Sequence, residues 1–252
     1  MRWSPQIRAV DWLVGRPIAH RGLHRLKRGI VENTQSAFER AIEHRYAIEC
    51  DLQIAADGEA VVFHDDTLDR LTLGCGPVRA QDTRQLRNLA FKAGTDRIQT
   101  LSEMLEQVSG SVPLVIEIKS HWDGDSRLTL RVLEVLQSYR GPYGLMSFDP
   151  AIVAVVRALS PRTVRGIVTD RTTDPFYDRL PLAKRLELRY FAHMPRTMPH
   201  FISYRWMDLP FPPVTAFRAA GRPVISWTIR SPEAALAARR YSDQITFEGF
   251  LA

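Results

Sequence analysis

Short apolar runs alternate along this chain with longer stretches whose apolar residues recur at helical spacing. The short runs lie at 17–20, 47–52, 60–64, 114–118, 143–147, 165–168, 189–192, 224–227 and 244–247 and predict strands. Between them, 34–44 places Ala37, Phe38, Ala41 and Ile42 on one helical face, and 128–137 and 152–159 repeat the pattern. Pro232 follows Ser231 where a first helical turn would open, ahead of 234–240. Strand and helix in alternation predict an α/β fold with a parallel sheet. A doubly wound sheet would carry a glycine-rich phosphate loop after its first strand. Here His20-Arg21-Gly22 stands at that position and matches no such loop. A length of 252 residues and about eight strand-helix repeats point instead to a (β/α)8 TIM barrel.

Nine strand candidates exceed eight by one, and 49–64 accounts for the extra. Asp57-Gly58 between two apolar runs reads as a two-residue hairpin turn. That register pairs Ala56 with Glu59 and sets Asp51 opposite His64, with Glu49 on the same face. The run 60–64 is then a return arm, and eight barrel strands remain.

Glu49 and Asp51 are either surface acids of an edge strand or a buried pair. Apolar Ala47, Ile48, Cys50 and Leu52 around them favour burial. Buried acids need compensating charge, and a divalent cation supplies it. Glu117 sits in the apolar run 114–118, which has the continuous character of a buried parallel strand, and it shares a face with Lys119. Three carboxylates near strand ends make an all-oxygen site suited to Mg²⁺ or Ca²⁺. His20 closes the first strand, and Arg21 offers a planar fork suited to phosphate. His24, His44, His121, His193 and His200 have no comparable setting.

Composition bounds the alternatives. Hydrophobic residues make up 45% and charged residues 25%, which suits a folded domain with a substantial core. No apolar run reaches the ~18 residues of a membrane span. The first residues, broken by Arg, Asp and Pro, lack the apolar stretch of a secretory signal. Two cysteines, Cys50 and Cys75, fit a reducing compartment, so a cytoplasmic location is expected. The net charge is +6, carried by scattered arginines, with lysine only at 27, 92, 119 and 184. Scattering of this kind describes a solvated surface, and no nucleic-acid partner is expected.

The ordered set His20-Arg21-Gly22, Glu32-Asn33-Thr34, Glu49-x-Asp51, Asp57-Gly58, Val61-Val62-Phe63-His64-Asp65, Glu117-Ile118-Lys119, Ser147-Phe148 and Trp227-Thr228 resembles the glycerophosphodiester phosphodiesterase family. The resemblance runs from residue 18 to near 246. It implies a single TIM-barrel domain over 1–252, with 65–100 as a small insertion covering the barrel mouth. It further implies metal-dependent hydrolysis of a small-molecule glycerophosphodiester to sn-glycerol 3-phosphate and an alcohol. By motif, His20 and His64 match the general acid and base, and Glu49, Asp51 and Glu117 match the ligands of one Mg²⁺ or Ca²⁺. Arg21 and Lys119 match phosphate-side cations, and Trp227 matches a wall of the substrate pocket. The chain departs from the family pattern at Val31, at Ile229-Arg230 and at 245–248, positions that bear on substrate preference. Two alternatives stand beside this reading. One is a phospholipase D-like hydrolysis of lysophospholipids or sphingomyelin, with 194–213 supplying an apolar mouth. The other is a basic module binding anions or a membrane surface, which would need none of the acids.

Overall fold

A computed structural model describes residues 10–252. The chain parts into two compact units, one of residues 18–143 and one of residues 144–252 with the segment before Ile18.

The unit 18–143 is organised around one long strand. β1 (Ile18–Ala19) and β4 (Leu114–Ile118) both pair in parallel with β2 (Ala47–Ile54). β3 (Ala60–Val62) pairs antiparallel with the end of β2 that runs past β4. Every residue of β2 and β4 is buried, acids included. Helix Gln35–Glu43 presents Ala37, Phe38 and Ala41 inward, as its spacing predicts. Helix Leu101–Val108 opens on a capping box, in which Thr100 accepts from the Glu103 amide and the Glu103 side chain bonds back to the Thr100 amide. The segment 65–100 has its own apolar cluster: Leu68, Leu71, Val78, Leu86, Phe91 and Ile98 close on Val61 and Phe63.

The hairpin between β2 and β3 is one residue out of the expected register. Leu52 pairs with Val62 and Ile54 with Ala60, so Asp51 lies opposite Phe63 rather than His64. The reason is the turn. Ala55 and Glu59 close a three-residue loop, with Gly58 at φ +85° and its amide on the Ala55 carbonyl. A loop of this length uses glycine in the left-handed region where a two-residue turn would use both Asp57 and Gly58.

In the unit 144–252 the strands β5 (Tyr143–Ser147), β6 (Val164–Thr169), β7 (Phe201–Arg205), β8 (Val224–Ile229) and β9 (Gln244–Phe247) follow one another in parallel. Helices Pro150–Leu159 and Pro232–Ala238 start on proline behind the caps Asp149 and Ser231. The strand expected at 189–192 is not one. Helix Leu182–Arg189 ends there, with Phe191 at φ +58°. The Ala192 amide reaches the Glu187 carbonyl and the Phe191 amide that of Leu188, a Schellman closure. Glycine usually marks such a closure, and phenylalanine in its place removes the sequence signal. The strand itself is Phe201–Arg205, inside the aromatic stretch 194–213. The described residues thus hold eight parallel strands, with helices in most of the connections between them, and β3 as the return arm. No helix among the described residues is long and apolar enough to cross a membrane.

Candidate active site

The chemistry-bearing side chains of the unit 18–143 gather at the C-terminal ends of β1 and β4 and along the middle of β2. In the parallel register Asp51 stands beside Glu117, and Glu49 lies two residues back on the same face. Oxygens of Glu49, Asp51 and Glu117 lie within 4.8 Å of one another, and all three residues are buried. Lys119 follows on the same face. Its Nζ donates to Asp51 Oδ1 at 2.7 Å and Glu117 Oε1 at 2.6 Å.

Past β1 the chain turns sharply. Arg21 sits at φ +54° and Gly22 at φ +76°. A Cβ on Gly22 would lie 2.9 Å from the backbone of Ala37, so only glycine lets this turn rest against helix Gln35–Glu43. The turn aims the Arg21 amide at Glu49 Oε2, 3.0 Å away, and brings its Nε to 3.4 Å from Asp51 Oδ2. His20 Nε2 lies 4.0 Å from the same Glu49 oxygen. Asn33, at φ +56°, ties these pieces together. Its amide bonds the Arg21 carbonyl at 2.9 Å, and its Nδ2 donates to Asp51 Oδ2 at 2.8 Å.

His64 lies two residues beyond the end of β3, so strand alternation does not set its direction. Its Nδ1 is 2.7 Å from Asp65 Oδ1. It still adds to the field at Asp51 despite the shifted register. Arg70 grips Asp65 through Nε at 2.5 Å and Glu32 through NH2 at 2.6 Å, and Glu32 Oε1 also accepts from Arg21 NH1 at 2.6 Å. Glu32, Asn33 and Asp65 were visible in the sequence only as parts of motifs, and Arg70 only as a member of the segment 65–100. Their partners lie in other segments, and nothing local to them reveals the pairing. His121, without a setting in the sequence, comes within 3.9 Å of Asp66 and lines a small recess with Gln53 and Lys119.

The charges settle unequally. Burial opposes ionisation of Asp51, but Lys119, His64 and Arg21 outweigh it and hold its carboxyl well below the usual range. Burial, then Asp51 and Glu117, push Glu49 well above its ordinary value. Burial also works against the Lys119 ammonium, yet Asp51 and Glu117 keep it above the ordinary lysine value. Three acids against Lys119 and Arg21 leave negative charge in excess, and Glu49 bears the strain. An all-oxygen donor set with one carboxyl forced toward its neutral form fits a hard divalent cation.

The family model for the glycerophosphoryl diester phosphodiesterase family matches residues 20–247. The chain belongs to that family. A glycerophosphodiester phosphodiesterase of Caldanaerobacter subterraneus is 40% identical over 111 residues, 41% of this chain and 44% of its own length. The human glycerophosphodiester phosphodiesterase 1 is 28% identical over 68% of this chain and 54% of its own length. The chain therefore spans about half the length of these relatives or less. Among solved structures, an Oleispira antarctica phosphodiesterase in complex with sn-glycerol-3-phosphate superposes with a TM-score of 0.77 at 23% identity, covering 94% of this chain and 93% of that one. The Thermotoga maritima glycerophosphodiester phosphodiesterase gives 0.69 at 23% identity, covering 91% and 92%. These likenesses establish the fold, a (β/α)8 TIM barrel, as the alternation of strands and helices predicts.

Trp227, on β8, packs edge-on against Phe148 with ring centroids 5.6 Å apart. Its indole nitrogen is buried and meets no partner.

Proposed function

We propose that this chain hydrolyses glycerophosphodiesters to sn-glycerol 3-phosphate and an alcohol. The observation that carries the proposal is the buried triangle of Glu49, Asp51 and Glu117, flanked by Arg21, Lys119, His20 and His64. Membership of the family supports it, as does the product held by the Oleispira antarctica relative.

Glu49, Asp51 and Glu117 would hold one Mg²⁺ or Ca²⁺. Such an ion, when bound, neutralises negative charge on phosphate oxygens. Arg21 adds a second cation there, with a fork whose NH1 is already braced by Glu32. Lys119, which donates to Asp51 and Glu117, is a further cation on the phosphate side. His20 and His64 form the acid-base pair. One takes the proton from the attacking hydroxyl, either water directly or the adjacent hydroxyl of the glycerol, whose cyclic phosphate water then opens to sn-glycerol 3-phosphate. The other protonates the alkoxide oxygen as the phosphorus–oxygen bond breaks. In its neutral form His64 donates from Nδ1 to Asp65, which leaves Nε2 as its proton-transfer atom.

The test is release of sn-glycerol 3-phosphate from a panel of glycerophosphodiesters, with EDTA and with Mg²⁺ or Ca²⁺ restored. We expect release that EDTA abolishes and the ion restores. Release insensitive to EDTA would reject the metal. No release from any diester, with a lysophospholipid cleaved instead, would move the chain to the phospholipase D-like reading.

A further inference from the structure

Arg70 links the two arms of the site. Its guanidinium makes four hydrogen bonds to two carboxylates. Nε and NH2 donate to Asp65 at 2.5 and 2.9 Å, and NH2 and NH1 donate to Glu32 at 2.6 and 3.1 Å. Each carboxylate spends its remaining reach on a group of the site: Asp65 on His64 Nδ1 at 2.7 Å, Glu32 on Arg21 NH1 at 2.6 Å. The result is an unbroken chain from imidazole to guanidinium, His64–Asp65–Arg70–Glu32–Arg21.

Ion pairs as exposed as this one contribute little to stability, since the Arg70 side chain is 47% exposed. The geometry is nevertheless well determined. Leu68 and Leu71 on either side of Arg70 are buried in the apolar cluster of 65–100, so its backbone is anchored. Its planar fork is the one side chain that can serve two carboxylates at once with fixed angles between the bonds. Lysine, a point charge, cannot.

We infer that Arg70 is a positioning residue that aligns the proton-transfer histidine and the phosphate-binding arginine together. This rests on the proposed hydrolysis, in which His64 moves a proton and Arg21 binds phosphate. Asp65 serves only the first arm and Glu32 only the second, so Arg70 is where the two meet. The role belongs to the segment 65–100, and it makes that segment part of the working site.

The experiment compares Arg70→Gln, Arg70→Lys, Asp65→Asn and Glu32→Gln by steady-state kinetics on a glycerophosphodiester. Asp65→Asn should lower kcat about tenfold with KM held, and Glu32→Gln should raise KM about tenfold with kcat held. Arg70→Gln should do both, and Arg70→Lys should restore neither fully. In the pair Arg70→Gln with Asp65→Asn, kcat should fall no further than in Asp65→Asn alone. Two readouts need no turnover: affinity for sn-glycerol 3-phosphate should fall in Arg70→Gln and Glu32→Gln, and the His64 imidazole N–H proton resonance should move in Arg70→Gln and Asp65→Asn. An active wild type whose Arg70→Gln variant keeps both constants within twofold, or loses thermal stability without the split, overturns the inference. A wild type that cleaves no diester overturns the functional reading instead, and the affinity and resonance readouts then still decide the role of Arg70.

Discussion

On the middle of β2 and the end of β4 three buried carboxylates face two cations. At the starts of β6, β7 and β8 the buried charge is cationic and is met by backbone. There Arg165 donates from Nε to the Thr197 carbonyl at 2.9 Å and from NH1 to Pro161 and Thr163. Arg222 donates to the Pro199 carbonyl, and His200 exchanges hydrogen bonds with the Arg165 backbone. Burial, with Arg157 beside it, lowers the Arg165 guanidinium to about 10; burial, with Arg165, lowers Arg222 to about 10. Burial first, then Arg165 and Arg222, brings His200 down to about 4, and burial brings His193 to about 4. The second region quiets its histidines by desolvation and meets its guanidinium groups with backbone carbonyls. The first leaves an excess of charge that its own residues do not cancel. Burial of charge is therefore no mark of function by itself.

The widest separation of the two regions should come from the histidines. His20→Ala or His64→Ala should lower kcat by about two orders of magnitude or more, with the thermal midpoint nearly unchanged. Near-normal turnover in either would remove that residue from the acid-base pair. Arg165→Ala should do the reverse. It strands three carbonyls, so denaturant titration should show a loss of about 2–3 kcal/mol, while turnover per folded molecule stays the same.

Glu49→Gln sharpens the contrast with less disturbance. Calorimetric titration should find divalent-ion affinity at least about tenfold weaker. Stability should respond in the opposite sense when no divalent ion is present. Because the folded-state pKa of Glu49 is raised, its contribution is present at low pH and is lost as pH rises through that value. The glutamine variant has nothing to ionise and should be the more stable of the two at neutral pH without metal. A variant destabilised under both conditions would mean that the carboxylate is held by contacts other than a cation.

The smallest effect on activity concerns His193. Its folded pKa lies near 4, below the unfolded value of 6.5, so the unfolded chain binds the proton first. Stability is complete above about pH 6.5 and falls as pH drops toward 4, by at most about 1.4 kcal/mol per unit for one proton. His193→Leu should remove one proton from that slope while leaving activity at neutral pH in place. An unchanged slope would show that His193 is not silenced by burial.

Much of the site was legible because its partners are close in sequence or share a strand. Glu49 and Asp51 lie two apart on β2, and Lys119 lies two beyond Glu117, spacings that alternation converts directly into a common face. The link of Asp51 to Asn33 and of Arg70 to Glu32 crosses 18 and 38 residues, and no local pattern encodes such a distance. The hairpin register failed by a single residue, because Asp57-Gly58 serves a three-residue loop as well as a two-residue turn. The strand at 201–205 escaped notice because a helix closure on Phe191 gave the run 189–192 the look of a strand.

What the sequence by itself determined is the alternation of strands and helices, seven of the eight parallel strands, and the three acids that the structure brings together. These follow from periodicity and from motifs read in order, both local properties of the chain. What only the tertiary structure decided is which charges meet. Parallel register set Asp51 beside Glu117. The left-handed turn at Arg21 and Gly22 delivered a guanidinium to them. The apolar cluster of 65–100 held Arg70 between Asp65 and Glu32. Electrostatic energies depend on distances of a few ångströms between residues far apart in the chain, and only packing sets those distances.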